Sequence, residues 1–395
     1  MSRQPLTESL LARVWQGAPL RGEELVTSQG VRLRIVYPGR RAGVAGPDFH
    51  HAIIATAGER LRGDVELHVR SSAWRAHGHH RDPNYNGVIL HVVFRDDATQ
   101  PTLLQNGTSV PVVPLEAYLT GADPASDLLH AAAEPCSDAV TRLGATAVGQ
   151  VLDRAGDTRF RAKARAFQSE LAADDGDQVL YHGLLRALGY SGNTEPFGEL
   201  ARRVPVATLK RIAVKTRPTE RAPAFHRALS DEACHLAWRY YGCRPPNLPQ
   251  QRLVAAARLL ATHLEDGSLA QPLLDLVSRA DVATGHRGLV NALAVPAGDH
   301  DGTIGRGRAC EMVVNVLLPF SYAVGGARSR PGRRALALYR AFPRLDDNRV
   351  SREMAQQAGI GAALASSARR QQGLIHLYRR FCLDRRCRRC PLTST

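Results

Sequence analysis

Apolar and polar positions alternate in short runs over roughly the first 115 residues. Apolar residues recur at helical spacing within residues 6–16, which predicts an amphipathic helix. Period-two or continuous apolar patterns, typical of strands, follow over residues 31–36, 52–56, 61–69 and 88–94. A polar, histidine-rich segment separates the last two strands. This order predicts a mixed α/β (α+β) domain over residues 1–118, with a sheet as its core.

The pattern changes in the second half of the chain. From about residue 138 the apolar residues fall at helical spacing, with Pro and Gly clusters between the runs. We therefore expect a mostly helical domain over residues 138–395. No apolar run is long enough for a membrane helix, which takes about 18 residues or more, and the N-terminus lacks a signal-peptide pattern. A cytoplasmic protein without membrane association is the expectation.

Three ionisable residues share one face of the strand at 61–69. Asp64, Glu66 and His68 alternate with apolar residues, and Asp48 follows Pro47 at the start of the preceding strand. Carboxylate oxygens are the ligands that Mg²⁺ prefers. The pattern predicts a Mg²⁺ or Mn²⁺ site held by the carboxylates, with His68 orienting the attacking water. A solvated strand face is the alternative.

This spacing resembles the PD-(D/E)xK nuclease superfamily, as does the predicted order of helix and strands. The resemblance implies a restriction-endonuclease-like core in which Asp48 and Glu66 bind the metal ion. His68 stands where that pattern has Lys. A histidine provides no fixed positive charge at neutral pH, although it can orient water or bind the metal itself.

The histidine-rich segment that follows offers further candidate ligands. His77, His79 and His80 lie close to one another in the sequence and beside a carboxylate, a combination that suits Zn²⁺. Alternatively, they contact phosphate groups from an exposed loop. Arg70 or His77 is a candidate for binding the scissile phosphate. His91, alone in an apolar strand, is expected to be a hydrogen-bonded core residue.

Three cysteines crowd the C-terminus. Cys382, Cys387 and Cys390 have C-x₄-C-x₂-C spacing, and the last pair is spaced as two thiolates that share one metal. Cys310 is the first candidate for a fourth ligand. In a chain without a secretion signal, metal binding is expected before disulfides. An iron–sulfur cluster, Zn²⁺ and unmodified thiols stay open as alternatives.

The charge balance favours a polyanionic partner. The chain has 52 basic and 37 acidic residues and a formal net charge of +15. Such an excess promotes nucleic-acid binding through counterion release, and DNA is expected before RNA. Lysine occurs only at 163, 210 and 215, so a genome-wide preference for arginine is a second explanation of the basicity.

Longer motifs show a closer resemblance. The segments GPDF, GDVELHVRSSAW, LGYSGNTEPFGELA and NVLLPF, with the terminal cysteines, resemble a bacterial family catalogued as domain of unknown function 2851. That resemblance implies little chemistry. From the residues themselves we expect a metal-dependent nuclease. A non-catalytic nucleic-acid-binding or scaffold protein and a zinc-dependent hydrolase are the alternatives.

Overall fold

The computed structural model of the chain consists of two compact units, Met1–Ser137 and Asp138–Thr395. It describes residues 7–16, 20, 23–41, 46–118, 135–190, 192–240, 247–264, 267–297, 302–383 and 386–393. None of the helices in these ranges is long and apolar enough to span a membrane.

The first unit is built on a mixed sheet, as the sequence pattern predicts. Its described strands are β1 (Leu25–Val26), β2 (Arg32–Tyr37), β3 (Arg40–Arg41), β4 (Phe49–Thr56), β5 (Arg60–Arg70), β6 (Val88–Arg95) and β7 (Val112–Pro114). The order across the sheet is β1-β2-β4-β5-β6-β7, and β3 pairs with β4. The strands up to β5 pair antiparallel, whereas β5, β6 and β7 pair parallel. Glu66 therefore lies in an interior strand, as expected.

Helix α1 (Glu8–Gln16) packs against β5, and the short helix α2 (Ala73–Ala76) follows β5 in the chain. Its apolar stripe, including Leu11 and Trp15, shares a buried core with Val65 and Leu67. Because side chains alternate across a strand, Glu66 and His68 project to the other side of the sheet. A smaller core lies there, made of Trp74, Tyr85, Val88, Leu104 and Val110. The strand thus separates an apolar face from a face that carries ionisable groups.

A β-bulge shapes the start of β4. The register with β5 shifts between Phe49 and Ala52, and His51 has a φ of 60°, which is uncommon for a residue with a side chain. The Asp64 carboxylate accepts a hydrogen bond from the His51 backbone N–H at 3.1 Å and lies 3.1 Å from His50 Nδ1. Asp64 therefore supports the bulge, which lies directly after Asp48.

The second unit is helical, as its apolar periodicity predicts. Its described α-helices are α3 (Ala139–Leu143), α4 (Ala145–Leu171), α5 (Gly176–Leu188), α6 (Thr194–Arg203), α7 (Val206–Lys215), α8 (Pro218–Ala233), α9 (Pro249–His263), α10 (Ala270–Arg279), α11 (His286–Leu293), α12 (Arg306–Met312), α13 (Leu318–Gly325), α14 (Arg330–Ala341), α15 (Arg349–Gln357) and α16 (Ala368–Leu377). One large apolar core is formed by residues of α4 to α14 and of α16.

Helices α4 and α16 approach each other closely through glycines. A Cβ atom on Gly156 would lie 2.1 Å from the Arg369 carbonyl oxygen, and one on Gly373 would lie 2.2 Å from the Leu152 carbonyl oxygen. Only glycine fits at such distances. Two five-residue π-helices extend neighbouring helices: Val313–Leu317 follows α12, and Tyr378–Cys382 follows α16.

Candidate metal centre

Three histidines of the first unit converge on one point. His68 on β5, His77 at the end of α2 (Ala73–Ala76) and His79 in the following 3-10 turn (His79–Arg81) each offer a ring nitrogen. These three nitrogens lie within 4.8 Å of one another. In the part of the chain that the structure describes, this is the one group of three or more histidine, cysteine or acidic residues gathered closely enough to share a metal ion.

Glu66 lies beside two of these histidines. Its Oε1 atom lies 3.3 Å from His79 Nε2 and 3.7 Å from His68 Nε2. Its Oε2 atom accepts a hydrogen bond from the Asp48 backbone N–H at 2.8 Å, and Asp48 Oδ2 accepts one from the Leu67 N–H at 3.0 Å. Asp48 thus fixes the Glu66 carboxyl and the neighbouring backbone of β5. The structure brings the predicted Asp48, Glu66 and His68 together with His77 and His79. These two histidines lie in the segment that connects β5 to β6, here called the crossover.

A chain of hydrogen bonds orients His68. His68 Nδ1 lies 2.9 Å from His91 Nε2, and His91 Nδ1 lies 3.1 Å from Thr102 Oγ1. When His91 donates its Nδ1–H to Thr102, its Nε2 accepts the Nδ1–H of His68. His68 Nε2 then keeps its lone pair, which faces His77 Nδ1 at 3.1 Å. A metal-binding histidine has this tautomer, with the other ring nitrogen held by a second group.

Burial controls the protonation of the group. It lowers the pKa of His68 to about 2, with His91 and His79 adding to the effect, and it also lowers the pKa of His79. Both imidazoles are therefore neutral, as metal ligands must be. Burial, together with the nearby Asp48, raises the pKa of Glu66 to about 9. Without a cation Glu66 is therefore protonated at neutral pH, and a cation bound next to it would displace that proton.

Local structure orients His77 and His79 toward β5. Gly78 has a φ of 78°, in the left-handed region, and reverses the chain between His77 and His79. The Tyr85 ring stacks on His79 with centroids 3.9 Å apart, and Trp74 Nε1 donates to the Leu103 carbonyl at 2.9 Å. His68 and His79 are buried while His77 is exposed, so the group is open to solvent on one side.

One atom at the centre lacks a hydrogen bond. His79 Nε2 is buried and, within the described residues, has no hydrogen-bond partner despite its proximity to Glu66. Buried polar atoms without a partner are rare in folded proteins. A donor set of three imidazoles fits Zn²⁺, whose catalytic sites combine three protein ligands with an open position.

Two residues near the site, Glu8 and Thr102, were not predicted from the sequence pattern. Glu8 is the first residue of α1. Its pKa is raised, because burial and the nearby charge of Asp48 outweigh the opposing effect of His77 and His79. Thr102 is buried and reaches the site only through His91. An acidic residue in the first turn of a predicted helix is too common to mark a site, and the threonine lies in no motif.

Other predicted residues make different contacts. Asp64 holds the bulge at His50 and His51. Arg70 is exposed, with its guanidinium 3.7 Å from the Asp97 carboxylate, and His80 is half-buried. None of these joins the histidine group. Their roles in binding metal or substrate stay predictions.

The C-terminal cysteines lie in the second unit. Cys382 Sγ is 3.6 Å from Met354 Sδ, and burial, together with the nearby Cys387, raises the pKa of Cys390. Cys310 lies on α12, where burial raises its pKa. Among the described residues no cysteine joins a group of three potential ligands. A metal or cluster at these cysteines stays a prediction.

Comparisons with known proteins identify a family. A search of curated proteins and a search of solved structures each find no match to the chain. A family model described as "Protein of unknown function (DUF2851)" matches residues 8–222, which include the whole histidine group. The match covers more than half of the chain, so the protein belongs to the DUF2851 family.

Proposed function

We propose that the first unit is a metal-dependent hydrolase that cleaves phosphodiester bonds in nucleic acid. The observation that carries the proposal is the convergence of the ring nitrogens of His68, His77 and His79, with Glu66 Oε1 lying 3.3 Å from His79 Nε2 and 3.7 Å from His68 Nε2. Imidazole nitrogens favour Zn²⁺ or another first-row transition metal, whereas Mg²⁺ selects oxygen ligands. The proposed metal is therefore Zn²⁺ rather than the Mg²⁺ or Mn²⁺ expected from the carboxylates alone.

The protein residues have distinct parts in the proposed reaction. A zinc ion bound by the histidines would lower the pKa of water and act as a Lewis acid. Glu66 would be ionised next to the cation and would accept a proton from the attacking water. Asp48 holds Glu66 through its backbone N–H, and His91 holds His68 in the required tautomer.

Charge supports nucleic acid as the substrate. The net charge of +15 favours a polyanion, and a phosphodiester needs stabilisation of negative charge as it is attacked. The second candidate is a nucleic-acid-binding protein without turnover. The observation in its favour is the lack of a lysine at position 68, the place that this residue has in the nuclease pattern.

Metal analysis joined to a cleavage assay tests the proposal. We expect about one zinc per chain at the histidines, and cleavage of labelled DNA or RNA that chelator abolishes and Zn²⁺ restores. His79→Ala should lose that zinc, whereas Cys387→Ser reports any metal at the cysteines. Tight nucleic-acid binding without cleavage in Zn²⁺, Mn²⁺ or Mg²⁺ would favour the non-catalytic candidate. Activity with Mg²⁺ that persists in His79→Ala would indicate that the carboxylates, and not the histidines, bind the catalytic metal.

The hydrogen-bond chain behind His68 gives a separate prediction. Thr102→Val keeps the side-chain shape but removes the partner of His91 Nδ1. Loss of such an outer contact typically lowers metal affinity about 10- to 100-fold. Competition with a chromophoric chelator measures that affinity. Thr108→Val, at an exposed loop position, is the matched control and should bind zinc as the wild type does. Equal affinities in all three proteins would contradict the orienting role of Thr102.

A further inference from the structure

Four arginines lie on one face of the antiparallel part of the sheet. Strand β2 contributes Arg32 and Arg34, and β5 contributes Arg60 and Arg62. All four side chains are exposed. The residues that alternate with the arginines on β2 are buried in the core that includes α1. The four arginines, here called the arginine face, therefore project to the side of the sheet opposite α1.

The strand register brings the arginines of β2 and β5 to the same side of β4. Arg34 pairs with Ala55, and Ala55 pairs with Arg60. Ile53, two residues before Ala55, pairs with Arg62. Directly paired residues project to the same face, and neighbouring strands lie about 4.8 Å apart. The backbones of Arg34 and Arg60 are thus about 10 Å apart, with half-buried apolar side chains of β4 between them.

Carboxylates neutralise little of this charge. Arg32 pairs with Glu24 at 2.9 Å, but both side chains are exposed, and such surface pairs are weak. Within the described residues, no carboxylate lies within 4.0 Å of the charged nitrogens of Arg34, Arg60 or Arg62. Positive charges gathered on one face repel one another. A polyanion that lies along the face would offset this repulsion.

The arginine face shares its side of the sheet with the candidate metal centre. Alternation along β5 places Arg62, Asp64 and Glu66 on one side of that strand. The Asp64 carboxylate between the other two contacts His50 and the His51 N–H. Glu66 is the fourth residue after Arg62, a distance of about 14 Å along a strand. One strand of a nucleic-acid helix covers this distance in about four nucleotides.

We propose that the arginine face binds the sugar–phosphate backbone of a nucleic-acid strand whose continuation reaches the metal centre. Guanidinium groups bind phosphate oxygens through paired N–H donors, and contacts of this kind position nucleic acid without reading its sequence. A polyanion fits this face because it contacts several arginines at once. The proposal rests on the hydrolase proposed for this unit for the fate of the bound strand, whereas binding itself is measured without turnover.

The test uses the full-length chain in a Glu66→Gln background, which is expected to fold but not to cleave. Fluorescence anisotropy of a labelled single-stranded oligonucleotide gives the Kd over a range of salt concentrations. The triple variant Arg34→Gln, Arg60→Gln, Arg62→Gln removes three charges. Each phosphate contact with a single strand adds about 0.7 to the slope of log K against log salt, or about fivefold in affinity at about 0.1 M salt. We expect the Kd to rise about a hundredfold and the slope to become shallower by about 2.

A matched control removes the same charge elsewhere. Arg154→Gln, Arg161→Gln and Arg165→Gln together change three exposed arginines of α4 in the second unit, and this control should bind as the background protein does. The pair Arg60→Gln, Arg62→Gln tests the face on one strand if the triple variant does not fold. We expect about 25-fold weaker binding from this pair. Circular dichroism and zinc content should stay those of the background in every variant.

The outcomes separate this proposal from the hydrolase. The arginine face is overturned if the triple variant, or the pair in its place, binds the oligonucleotide as tightly as the α4 control does. It is also overturned if the background protein does not bind the oligonucleotide. If the face serves an anionic membrane instead, the triple variant loses binding to phosphatidylserine vesicles and keeps the oligonucleotide. Absence of cleavage by the wild type would overturn the hydrolase alone, because the same comparison in the wild-type background still measures binding.

Discussion

Replacing Glu66 by glutamine is expected to reduce metal-dependent cleavage about a thousandfold or more, since it removes the carboxylate proposed to accept a proton from the attacking water. The fold should survive. Burial raises the pKa of Glu66 to about 9, so the carboxyl is neutral at pH 7 before metal binds, and glutamine has the same charge and shape. The amide oxygen also accepts the Asp48 N–H. Asp48→Ala should likewise abolish cleavage, because it removes the carboxylate that holds the backbone beside Glu66.

Cleavage rate, zinc content and Tm are measured for Glu66→Gln and Asp48→Ala. Glu59→Gln is the matched control, since it makes the same change at an exposed turn residue of the same sheet. We expect this control to retain wild-type activity. Full activity in Glu66→Gln would show that the carboxyl is outside the reaction, and the hydrolase proposal would then fail even if the histidines bind zinc.

His68→Lys gives the second large effect and separates two roles for this position. His68 is 1% exposed and its Nε2 faces His77 Nδ1, so an ammonium group there should prevent the proposed site from holding a metal. We expect the variant to retain no zinc after dialysis and to lose cleavage by about a thousandfold or more. In the nuclease pattern, by contrast, lysine at this place stabilises charge on phosphate, and activity with Mg²⁺ would be retained or raised.

Controls must separate loss of metal from loss of fold. His68→Gln removes the imidazole without adding charge, so it should lose zinc while its circular dichroism stays that of the wild type. His235→Lys introduces the same new charge at an exposed position and should keep both zinc and activity. A His68→Lys protein that holds zinc at the wild-type level would exclude His68 as a ligand.

The sheet was predictable because its signals are local. Period-two patterns place β2, β4, β5 and β6 to within a few residues, and the apolar face of α1 is visible in its spacing. The parallel pairing of β7 with β6 could not be predicted from local periodicity. Val112–Pro114 is a three-residue strand, too short to show a period. Its pairing depends on packing between distant parts of the chain.

The candidate site was predictable in part for a related reason. Glu66 and His68 share a strand face, so their convergence follows from alternation alone. The approach of His77 and His79 depends on the left-handed turn at Gly78 and on stacking with Tyr85, neither of which spacing can specify. Asp64 shows the opposite case. Alternation puts it beside Glu66, but the bulge at His51 takes its carboxylate as a hydrogen-bond acceptor.

The crossover between β5 and β6 has a consequence for the order of folding. Glu66, the three grouped histidines and His91 all lie within one strand–crossover–strand segment. Closing this short loop has a low entropic cost, so the candidate ligands can assemble once two parallel strands pair. A metal ion present during synthesis would then act as a nucleus, holding the strand pair before α1 and the residues preceding β4 bring Glu8 and Asp48 to the site. Refolding should accordingly be faster with zinc than with chelator, with the histidine site formed ahead of the rest of the sheet.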